Sequence, residues 1–586
     1  MKLLYFLLII ISNTFVFAQN TRYTISFENA VHHEATIAVL YTDLSDSTLV
    51  VQMSRTSPGR YAIHDFAKNV YAVKALNSKG EPLKIKRINP QAWEIQNHDG
   101  TVNLSYTLFA DRADGTYSQI DETHAHLNIP ATFMYAPVLS EKTIEITFAP
   151  RVDLNWKIAT QLPLKSGTTY TAPNLQYFMD SPTELSNYSM RRFKVKEQDI
   201  EFVLHHKGTD EDLDTYFEKV KRIVLAEEAV YGELPIFDYG KYTFLACYIG
   251  HVSGDGMEHR NSTILTDKEG LAEGGMEGNI GTVSHEFFHA WNVERIRPVS
   301  LEPFDFEAAN MSGALWFAEG FTSYYTNLIL CRAGLITPEQ YVSGLNGTFN
   351  YVWNSPARQF FNPIEMSYQA PFVDAASSID PVNRDNTFIS YYSYGSVLGL
   401  ALDLALREKD LNLDDYMKRV WLRYGKTETP YTIKNLNDVL NDYAGKDFGV
   451  HFFNNYIYKS EMPNYAELFK TVGLQIEQDS KPMYTGASFN KNTVSKYPKI
   501  GSPAYLSGLE KGDEILSVNN IKLNDTHTIE TIIDESKTAI LQIEYLRHGE
   551  TKATELNLVA NPKYTISMLE EITKKAMQNQ KEWLKQ

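Results

Sequence analysis

The sequence H-E-F-F-H at residues 285–289 constrains the fold of this chain more than any other feature. Two histidines four residues apart lie on one face of a helix, so His285 and His289 can reach one metal ion. Glu286, between them, points into the same site, where it can take a proton from a metal-activated water. Apolar neighbours predict a helix here, and no proline follows until Pro298. The pattern is typical of zinc peptidases. The alternative is a buried helix with two core histidines.

A second apolar helix, predicted over residues 315–325, contains a single carboxylate, Glu319. Burying an unpaired carboxylate is costly, and a bound metal ion would offset that cost. Catalytic zinc sites commonly combine two histidines, one glutamate and an open position for water. The sequence therefore predicts one zinc ion held by His285, His289 and Glu319. The alternative for Glu319 is a partly exposed glutamate on a helix surface.

The N-terminus has the pattern of a secretory signal peptide. A lysine and an apolar run precede a small-residue site ending at Ala18, so we predict that residues 1–18 are removed on export to the periplasm or the medium. No later apolar run is long enough to cross a membrane. The formal net charge of −17 argues against nucleic acid as a partner. Cys247 and Cys331 lie in apolar runs and are predicted to be free buried thiols.

The pattern of apolar residues changes along the chain and indicates several domains. Short alternating runs such as residues 102–108 predict an N-terminal β-domain with a sandwich-like fold over residues 19–195. Helical periodicity dominates residues 196–462, with a strand predicted at 242–248, which indicates a mixed, mainly helical catalytic domain. The predicted fold class is therefore multidomain α+β.

The C-terminal part of the chain differs again. Residues 508–513 read G-L-E-K-G-D and precede an apolar strand, a pattern that looks like a PDZ domain. We predict a PDZ domain over residues 463–562 and a charged C-terminal helix within residues 563–586. Such a domain could bind a peptide ligand, and its role as a lid or as a substrate-recruiting module stays open.

Four segments together carry a resemblance to a known family. They are G-M-E-H-R-N-S-T at 256–263, S-H-E-F-F-H-A-W-N-V-E-R-I-R-P at 284–298, P-F-D-F at 303–306 and Y-Y-S-Y-G at 391–395. The chain resembles the PDZ-containing glycyl aminopeptidase family of gluzincin zinc metallopeptidases. The resemblance spans the mature chain and implies an N-terminal β-domain, a thermolysin-like catalytic domain and a C-terminal PDZ domain. It also implies release of N-terminal residues, with glycine and alanine favoured.

The resemblance implies a substrate-binding strand that contains Gly256, Met257 and Glu258. Glu258 resembles the glutamate that binds the free α-amino group in related aminopeptidases, and a carboxylate there would exclude internal peptide bonds. The alternative is a structural turn residue. Asp255 stands where relatives often have glycine, and this departure leaves the exact N-terminal preference open.

The resemblance also implies a tyrosine that stabilises the oxyanion by donating its hydroxyl. The position relative to Gly395 favours Tyr392, and Tyr391 is the alternative. Glu286 would be the general base on the metal-activated water and would then pass the proton to the leaving amine.

Three functional hypotheses follow from these residues. The leading one is an exported zinc aminopeptidase acting on peptides with a free N-terminus. A zinc endopeptidase of the same fold is the second, and it would also cleave peptides whose N-terminus is acetylated. The third is a catalytically weak protein whose PDZ domain binds peptides.

Overall fold

A computed structural model describes residues 21–374, 380–478, 483–525, 527–536 and 538–585 of the 586-residue chain. The predicted signal peptide lies outside these residues. The chain divides into two compact units. The first comprises Met1–Arg55, Asp65–Ala113 and Tyr117–Asn187, and the second comprises Thr56–His64, Asp114–Thr116 and Tyr188–Gln586.

The first unit is rich in β-strands, as predicted. Its elements are β1 Thr21–Ser26, β2 Glu34–Tyr41, β3 Thr48–Gln52, β4 Val70–Leu76, β5 Lys84–Arg87, β6 Ala92–Gln96, β7 Val102–Phe109, β8 Gln119–Ile120, β9 His124–Leu127, α1 Ile129–Thr132, β10 Ile144–Ala149, β11 Lys157–Thr160, β12 Leu164–Ser166, β13 Thr169–Ala172, α2 Leu175–Met179 and β14 Thr183–Ser186. They form a seven-stranded sheet in the order β12-β13-β10-β1-β2-β7-β4, with smaller sheets β11-β14-β9-β8 and β3-β6-β5. Buried and exposed residues alternate along β7, which confirms the strand predicted there.

The second unit begins with a five-stranded sheet and continues into helices. Its strands are β15 Ser189–Val195, β16 Gln198–His206, β17 Lys241–Tyr248, β18 Asp255–His259 and β19 Ser262–Asp267. Its helices up to residue 470 are α3 Asp210–Tyr231, α4 Gly275–Gly278, α5 Ile280–Phe288, α6 Leu315–Ala318, α7 Gly320–Arg332, α8 Pro338–Trp353, α9 Pro363–Tyr368, α10 Ala370–Val373, α11 Arg384–Thr387, α12 Tyr391–Arg407, α13 Leu413–Val420, α14 Ile433–Ala444, α15 Lys446–Phe452 and α16 Tyr465–Lys470. Two π-helical turns lie at Trp421–Gly425 and Phe453–Ile457. The sheet order is β15-β16-β17-β19-β18, so β18 lies at the end of this order. The strand predicted at 242–248 is confirmed as β17.

Local sequence explains the longest of these helices. Helix α3 begins with a capping box between Thr209 and Asp212 and ends at Gly232, whose left-handed φ of 82° suits glycine. Helix α8 begins with Pro338 and a second capping box between Thr337 and Gln340. The apolar faces of these helices pack into one core with α5, α7 and α12.

In the last part of the second unit, residues 494–558 have their own smaller core. Its elements are β20 Leu474–Gln478, β21 Phe489–Asn490, β22 Thr493–Val494, α17 Pro503–Leu506, β23 Glu514–Val518, β24 Ile521–Lys522, α18 Ile529–Glu535, β25 Ile540–Arg547, β26 Glu550–Asn557, β27 Tyr564–Met568 and α19 Lys574–Leu584. Strands β21 to β26 form one sheet, while β20 pairs with β27. Strands β20 and β27 and helix α19 contribute to the main core. Helix α19 lies within the C-terminal segment predicted to be helical, and its Trp583 donates to the hydroxyl of Tyr324 on α7 at 2.9 Å.

Several sequence predictions can be compared with this architecture. Cys247 and Cys331 are buried thiols and not half-cystines, as predicted. The predicted domain boundaries stay predictions, although β15, which the predicted N-terminal domain includes, pairs with β16 of the second unit. Among the residues that the structure describes, no helix combines the length and the hydropathy needed to cross a membrane.

Candidate metal centre

His285, His289 and Glu319 converge at one point of the second unit. The Nε2 atoms of the two histidines lie 3.1 Å apart, and Glu319 Oε2 lies 3.2 Å from the Nε2 of His289 and 3.8 Å from that of His285. Ligand atoms in a tetrahedral zinc site with bonds of about 2.0–2.1 Å lie about 3.3 Å from one another. Two imidazoles and one carboxylate at this spacing fit a zinc ion, and their role as ligands stays a prediction.

Hydrogen bonds from the outer nitrogens set the tautomer of both imidazoles. The Thr326 hydroxyl already donates to the carbonyl of Thr322 at 2.9 Å, so it accepts from His285 Nδ1 at 3.1 Å. The Nδ1 of His289 donates to the carbonyl of Asn292. When both rings are neutral, their protons lie on Nδ1 and both Nε2 lone pairs face the carboxylate of Glu319, which is the arrangement that a metal ion requires.

The helix that begins the H-E-F-F-H sequence ends well before the next proline, Pro298. Helix α5 stops at Phe288, and His289 is the first residue beyond it. The side chain of Asn292 donates to the carbonyls of Phe317 and Ala318, at 3.1 Å each, and so links the following turn to α6. Because Glu319 directly follows α6, this link connects the second histidine with the carboxylate ligand.

Two glycines bring the carboxylate and the tyrosine motif together. Glu319 lies between α6 and α7, and Gly320 follows it at the start of α7. A Cβ on Gly320 would lie 2.4 Å from the Cα of Gly395, and a Cβ on Gly395 would lie 1.8 Å from the carbonyl oxygen of Trp316. Only glycine permits α12 to approach this closely, which explains why Gly395 accompanies the tyrosines of the motif.

Sequence reasoning missed Tyr61, which contacts the predicted ligand Glu319. The Tyr61 hydroxyl donates to Glu319 Oε1 at 2.6 Å, and the bond is buried. Since Oε2 faces the two imidazoles, Tyr61 holds the orientation of the carboxylate from its other side. No local pattern marks Tyr61 among the 36 tyrosines of the sequence.

The segment predicted to bind substrate forms strand β18. Ligand atoms of Glu258, Glu286 and His289 all lie within 4.8 Å of one another. A Cβ on Gly256 would lie only 2.2 Å from Glu286 Oε1, so glycine lets the strand lie directly against helix α5. Met257, which lies between Gly256 and Glu258 in the sequence, is buried. The structure therefore brings Gly256 and Glu258 beside Glu286.

Asp255, the departure from the family pattern, has a cationic partner that sequence reasoning did not find. Arg60 forms an ion pair with Asp255, and the backbone N–H of Gly115 donates to the same carboxylate oxygen at 3.0 Å. Burial raises the pKa of Asp255, and the charge of Arg60 acts in the opposite direction. The extra negative charge beside the strand is thus compensated locally.

Tyr392 and Tyr391 occupy different positions. The ring of Tyr392 lies 6.0 Å from that of His285 and is half-buried. Tyr391 is buried, with its ring 4.8 Å from that of Tyr392 and 6.0 Å from that of Tyr61. Burial and the charge of Glu319 raise the pKa of both hydroxyls, so both remain protonated donors at neutral pH.

Three carboxylates make the site electronegative. Burial raises the pKa of Glu286 well above its usual value, and the charges of Glu258 and Glu319 add to this effect. Burial also raises the pKa of Glu319, but the imidazoles outweigh it and hold that pKa below its usual value. Burial would lower the pKa of His289, yet the charges of Glu319 and Glu258 raise it to about 10. The carboxylates around His289 therefore favour a positive charge at this point of the site.

Comparison with known proteins indicates the class of protein to which this site belongs. Residues 22–187 match the family model of the peptidase M61 N-terminal domain, and residues 278–398 match that of M61 glycyl aminopeptidase. These two regions are thus similar to the N-terminal and catalytic domains of M61 peptidases, and the chain is a zinc metallopeptidase. None of the curated proteins compared with this sequence matches it.

Solved structures support the fold. An aminopeptidase N family protein from Idiomarina loihiensis is 22% identical with a TM-score of 0.83, over 96% of this chain and 100% of that chain. An M1 zinc metallopeptidase from Deinococcus radiodurans is 11% identical with a TM-score of 0.44, over 76% of this chain and 95% of that one. Legionella pneumophila aminopeptidase A is 12% identical with a TM-score of 0.45, over 79% and 51%. The last two similarities are too low to carry an argument.

Proposed function

We propose that this protein is an exported zinc aminopeptidase that releases N-terminal residues from peptides, with glycine and alanine favoured. The observation that carries the proposal is that ligand atoms of Glu258 lie within 4.8 Å of those of Glu286 and His289. In a peptide, only two bonds separate the α-amino nitrogen from the carbonyl carbon of the same residue. A carboxylate this close to the metal position can therefore bind the amine of the residue whose carbonyl is attacked.

His285, His289 and Glu319 would hold one zinc ion, with Tyr61 orienting the carboxylate. A bound zinc ion supplies Lewis acidity, which acidifies water and polarises a carbonyl. Glu286 takes the proton from the attacking water and later delivers it to the leaving amine. Burial raises the pKa of Glu286, which favours retention of the transferred proton, and the charge of a bound zinc ion would lower this pKa so that the carboxylate can first accept the proton.

Tyr392 donates its hydroxyl to the carbonyl oxygen as negative charge develops there. Its half-buried position beside His285 supports this choice over the buried Tyr391. Gly256 and Met257 form the strand against which the substrate backbone lies, and the close approach of Gly256 to Glu286 supports that assignment.

Tight packing behind Glu258 supports a preference for small N-terminal residues. A Cβ on Gly59 would lie 2.0 Å from Met257 Sδ and 3.1 Å from Glu258 Oε2, so the chain itself fills this space. The ion pair between Arg60 and Asp255 lies along the same strand. Little room is left beside the amine for a large side chain.

The finer architecture belongs to the same proposal. We assign a sandwich-like β-domain to residues 19–195, a thermolysin-like gluzincin domain to 196–462, a PDZ domain to 463–562 and a C-terminal helix to 563–586. The sheet of β21 to β26 with helix α18 supports the PDZ domain, which would bind a peptide. Removal of residues 1–18 on export is tested by sequencing the N-terminus of the exported protein, which should begin at Gln19.

The direct test compares chromogenic amides of glycine and alanine with their N-acetylated forms, using wild type, Glu286→Gln and Glu258→Gln. We expect cleavage of the free-amine substrates only, lost in Glu286→Gln and strongly reduced in Glu258→Gln. Cleavage of acetylated substrates at a similar rate would indicate an endopeptidase instead. Absence of cleavage with zinc bound would favour a peptide-binding protein.

A further inference from the structure

A cavity of about 270 Å³ opens beside the metal position, between helices α7, α8 and α12. His285 and Tyr392 form the end that faces the metal position. The remaining walls include Ser323 from α7, Gly344 and Leu345 from α8, and Val397 from α12. None of the roles assigned above uses these four wall residues. We call this space the α8 cavity.

The α8 cavity and Glu258 border different residues of the metal position. Glu258 groups with Glu286 and His289, whereas the cavity is lined by His285 and Tyr392 and by none of those three residues. A peptide whose amine is held by Glu258 and whose first carbonyl faces the metal must continue toward His285. Its second residue therefore comes to the mouth of the cavity.

We propose that the α8 cavity binds the side chain of the residue that follows the scissile bond, an inference that rests on the proposed aminopeptidase function. The chemical class of this residue is uncharged with an apolar body, such as leucine or phenylalanine. The site would thereby select the peptide on its leaving side, while Glu258 selects the free amine on the other side.

Size and lining support this class of side chain. Pockets that enclose a whole small ligand usually have at least about 300 Å³, so a cavity slightly below that limit suits one side chain. Leu345, Val397 and Leu400 supply apolar surface, and Ser323 and Thr326 supply hydroxyl groups. The described residues that line the cavity include no Asp, Glu, Lys or Arg, so a charged side chain would be desolvated there without a partner.

A series of Ala-Xaa-amide substrates tests the inference, with Leu, Phe, Gly, Asp or Lys as the second residue. Release of alanine is followed with the zinc-loaded wild type. We expect kcat/KM for Leu and Phe to exceed that for Asp and Lys by at least about tenfold, the scale on which a pocket discriminates side chains.

Two glycines of α8 provide a matched pair of variants. A Cβ on Gly344 or on Gly347 would meet no atom within 4 Å, so a larger residue is tolerated at both positions. Gly344 lines the cavity, whereas Gly347 is not among its lining residues. Gly344→Phe should lower the ratio of kcat/KM for Ala-Phe-amide over Ala-Gly-amide at least about tenfold, and Gly347→Phe should leave this ratio unchanged.

The outcomes separate this inference from the function on which it rests. If wild type cleaves all five substrates equally, or if both glycine variants behave alike, the α8 cavity is not the binding site and the aminopeptidase function stands. If the zinc-loaded enzyme cleaves none of them, both proposals fail. Calorimetric binding of Ala-Phe-amide and Ala-Asp-amide to Glu286→Gln gives a readout without turnover, and equal affinities would also overturn the inference.

Discussion

The two ends of helix α7 both contact buried carboxylates, but only one end has its own cation. At the C-terminal end, Arg332 pairs with Asp414 at 3.0 Å. At the N-terminal end, Glu319 faces two imidazoles, and no lysine or arginine in the described ranges forms an ion pair with Glu319 or with Glu286.

The difference separates a structural ion pair from a metal site. Although burial raises the pKa of Asp414, the charges of Arg332 and Lys585 and the hydrogen bonds from Arg332 and Tyr325 together outweigh it, so this carboxylate stays ionised without any external ion. Around Glu319 the protein supplies two imidazoles in place of an arginine or lysine, and a bound metal ion would balance the charge of the carboxylates. A buried carboxylate cluster without arginine or lysine thus indicates a bound cation.

The largest expected effect comes from removing the external cation. Chelation of zinc, or His289→Ala, should lower kcat/KM on free-amine substrates by at least about 10³-fold, because metal ions supply several kcal/mol of transition-state stabilisation. Steady-state kinetics with readdition of zinc measures this. Glu258→Gln is the control, since it should lose activity while zinc stays bound. Full activity in the metal-free protein would contradict the assignment of a metal site to the N-terminal end of α7.

The next effect concerns the internal cation. Arg332→Met leaves the buried Asp414 carboxylate with Lys585, at 3.5 Å, as its cationic partner, so the free energy of unfolding should fall by up to about 3–5 kcal/mol while the zinc content is unchanged. Urea unfolding of the zinc-loaded protein measures the change. The double variant Arg332→Met with Asp414→Leu should recover much of the loss. A loss of zinc in the folded single variant would show that the two ends of α7 are not independent.

A smaller effect is expected at the residue that supports the Glu319 carboxylate. Tyr61→Phe removes the hydrogen bond to Glu319 Oε1 and should weaken zinc binding by about 10–100-fold, the usual effect of losing such a supporting contact. Competition with a chelator of known affinity measures it. Tyr391→Phe, a change to the neighbouring ring, should leave zinc affinity intact. Equal weakening in both variants would mean that packing, and not the hydrogen bond, is responsible.

The smallest effect concerns a buried carboxyl, Glu227, that forms no ion pair with any residue that the structure describes. Glu227 is fully buried, accepts one hydrogen bond from Ser284 at 3.2 Å, and burial raises its pKa well above the usual value. Because the folded pKa exceeds the unfolded one, the protonated form is favoured at low pH and stability is lost as pH rises between the two values.

Glu227→Gln removes this loss. From pH 6 to pH 7 the free energy of unfolding of the variant should increase relative to that of wild type, by at most about 1.4 kcal/mol, which is the limit for the release of one proton. Chemical denaturation at both pH values checks this. A difference between the two proteins that does not change with pH would mean that Glu227 is already ionised in the folded protein.

The parts of the site that could be predicted from sequence are those marked by residue spacing within one short segment. His285 and His289 share a helix face through their separation of four residues, and Glu319 is conspicuous as a lone carboxylate in an apolar run. Glu258 and Tyr392 came from the family resemblance, and the geometry near Glu286 and His285 is compatible with both roles.

The parts that could not be predicted depend on contacts between distant segments. Tyr61 lies 258 positions from Glu319 in the chain, and no periodicity links them. The early end of α5 depends on bonds from Asn292 to α6, which are formed only in the folded chain. The α8 cavity is formed by three helices whose starts and apolar faces are readable but whose mutual packing is not.

The measurement that tests the central claim most directly is the zinc content of three proteins: wild type, Glu319→Gln and Asp414→Asn. Mass spectrometry of the purified chains should give one zinc ion per chain in wild type and in Asp414→Asn, and well below one in Glu319→Gln. Equal zinc content in all three proteins, or no zinc in wild type, would contradict the assignment of a metal site to the N-terminal end of α7.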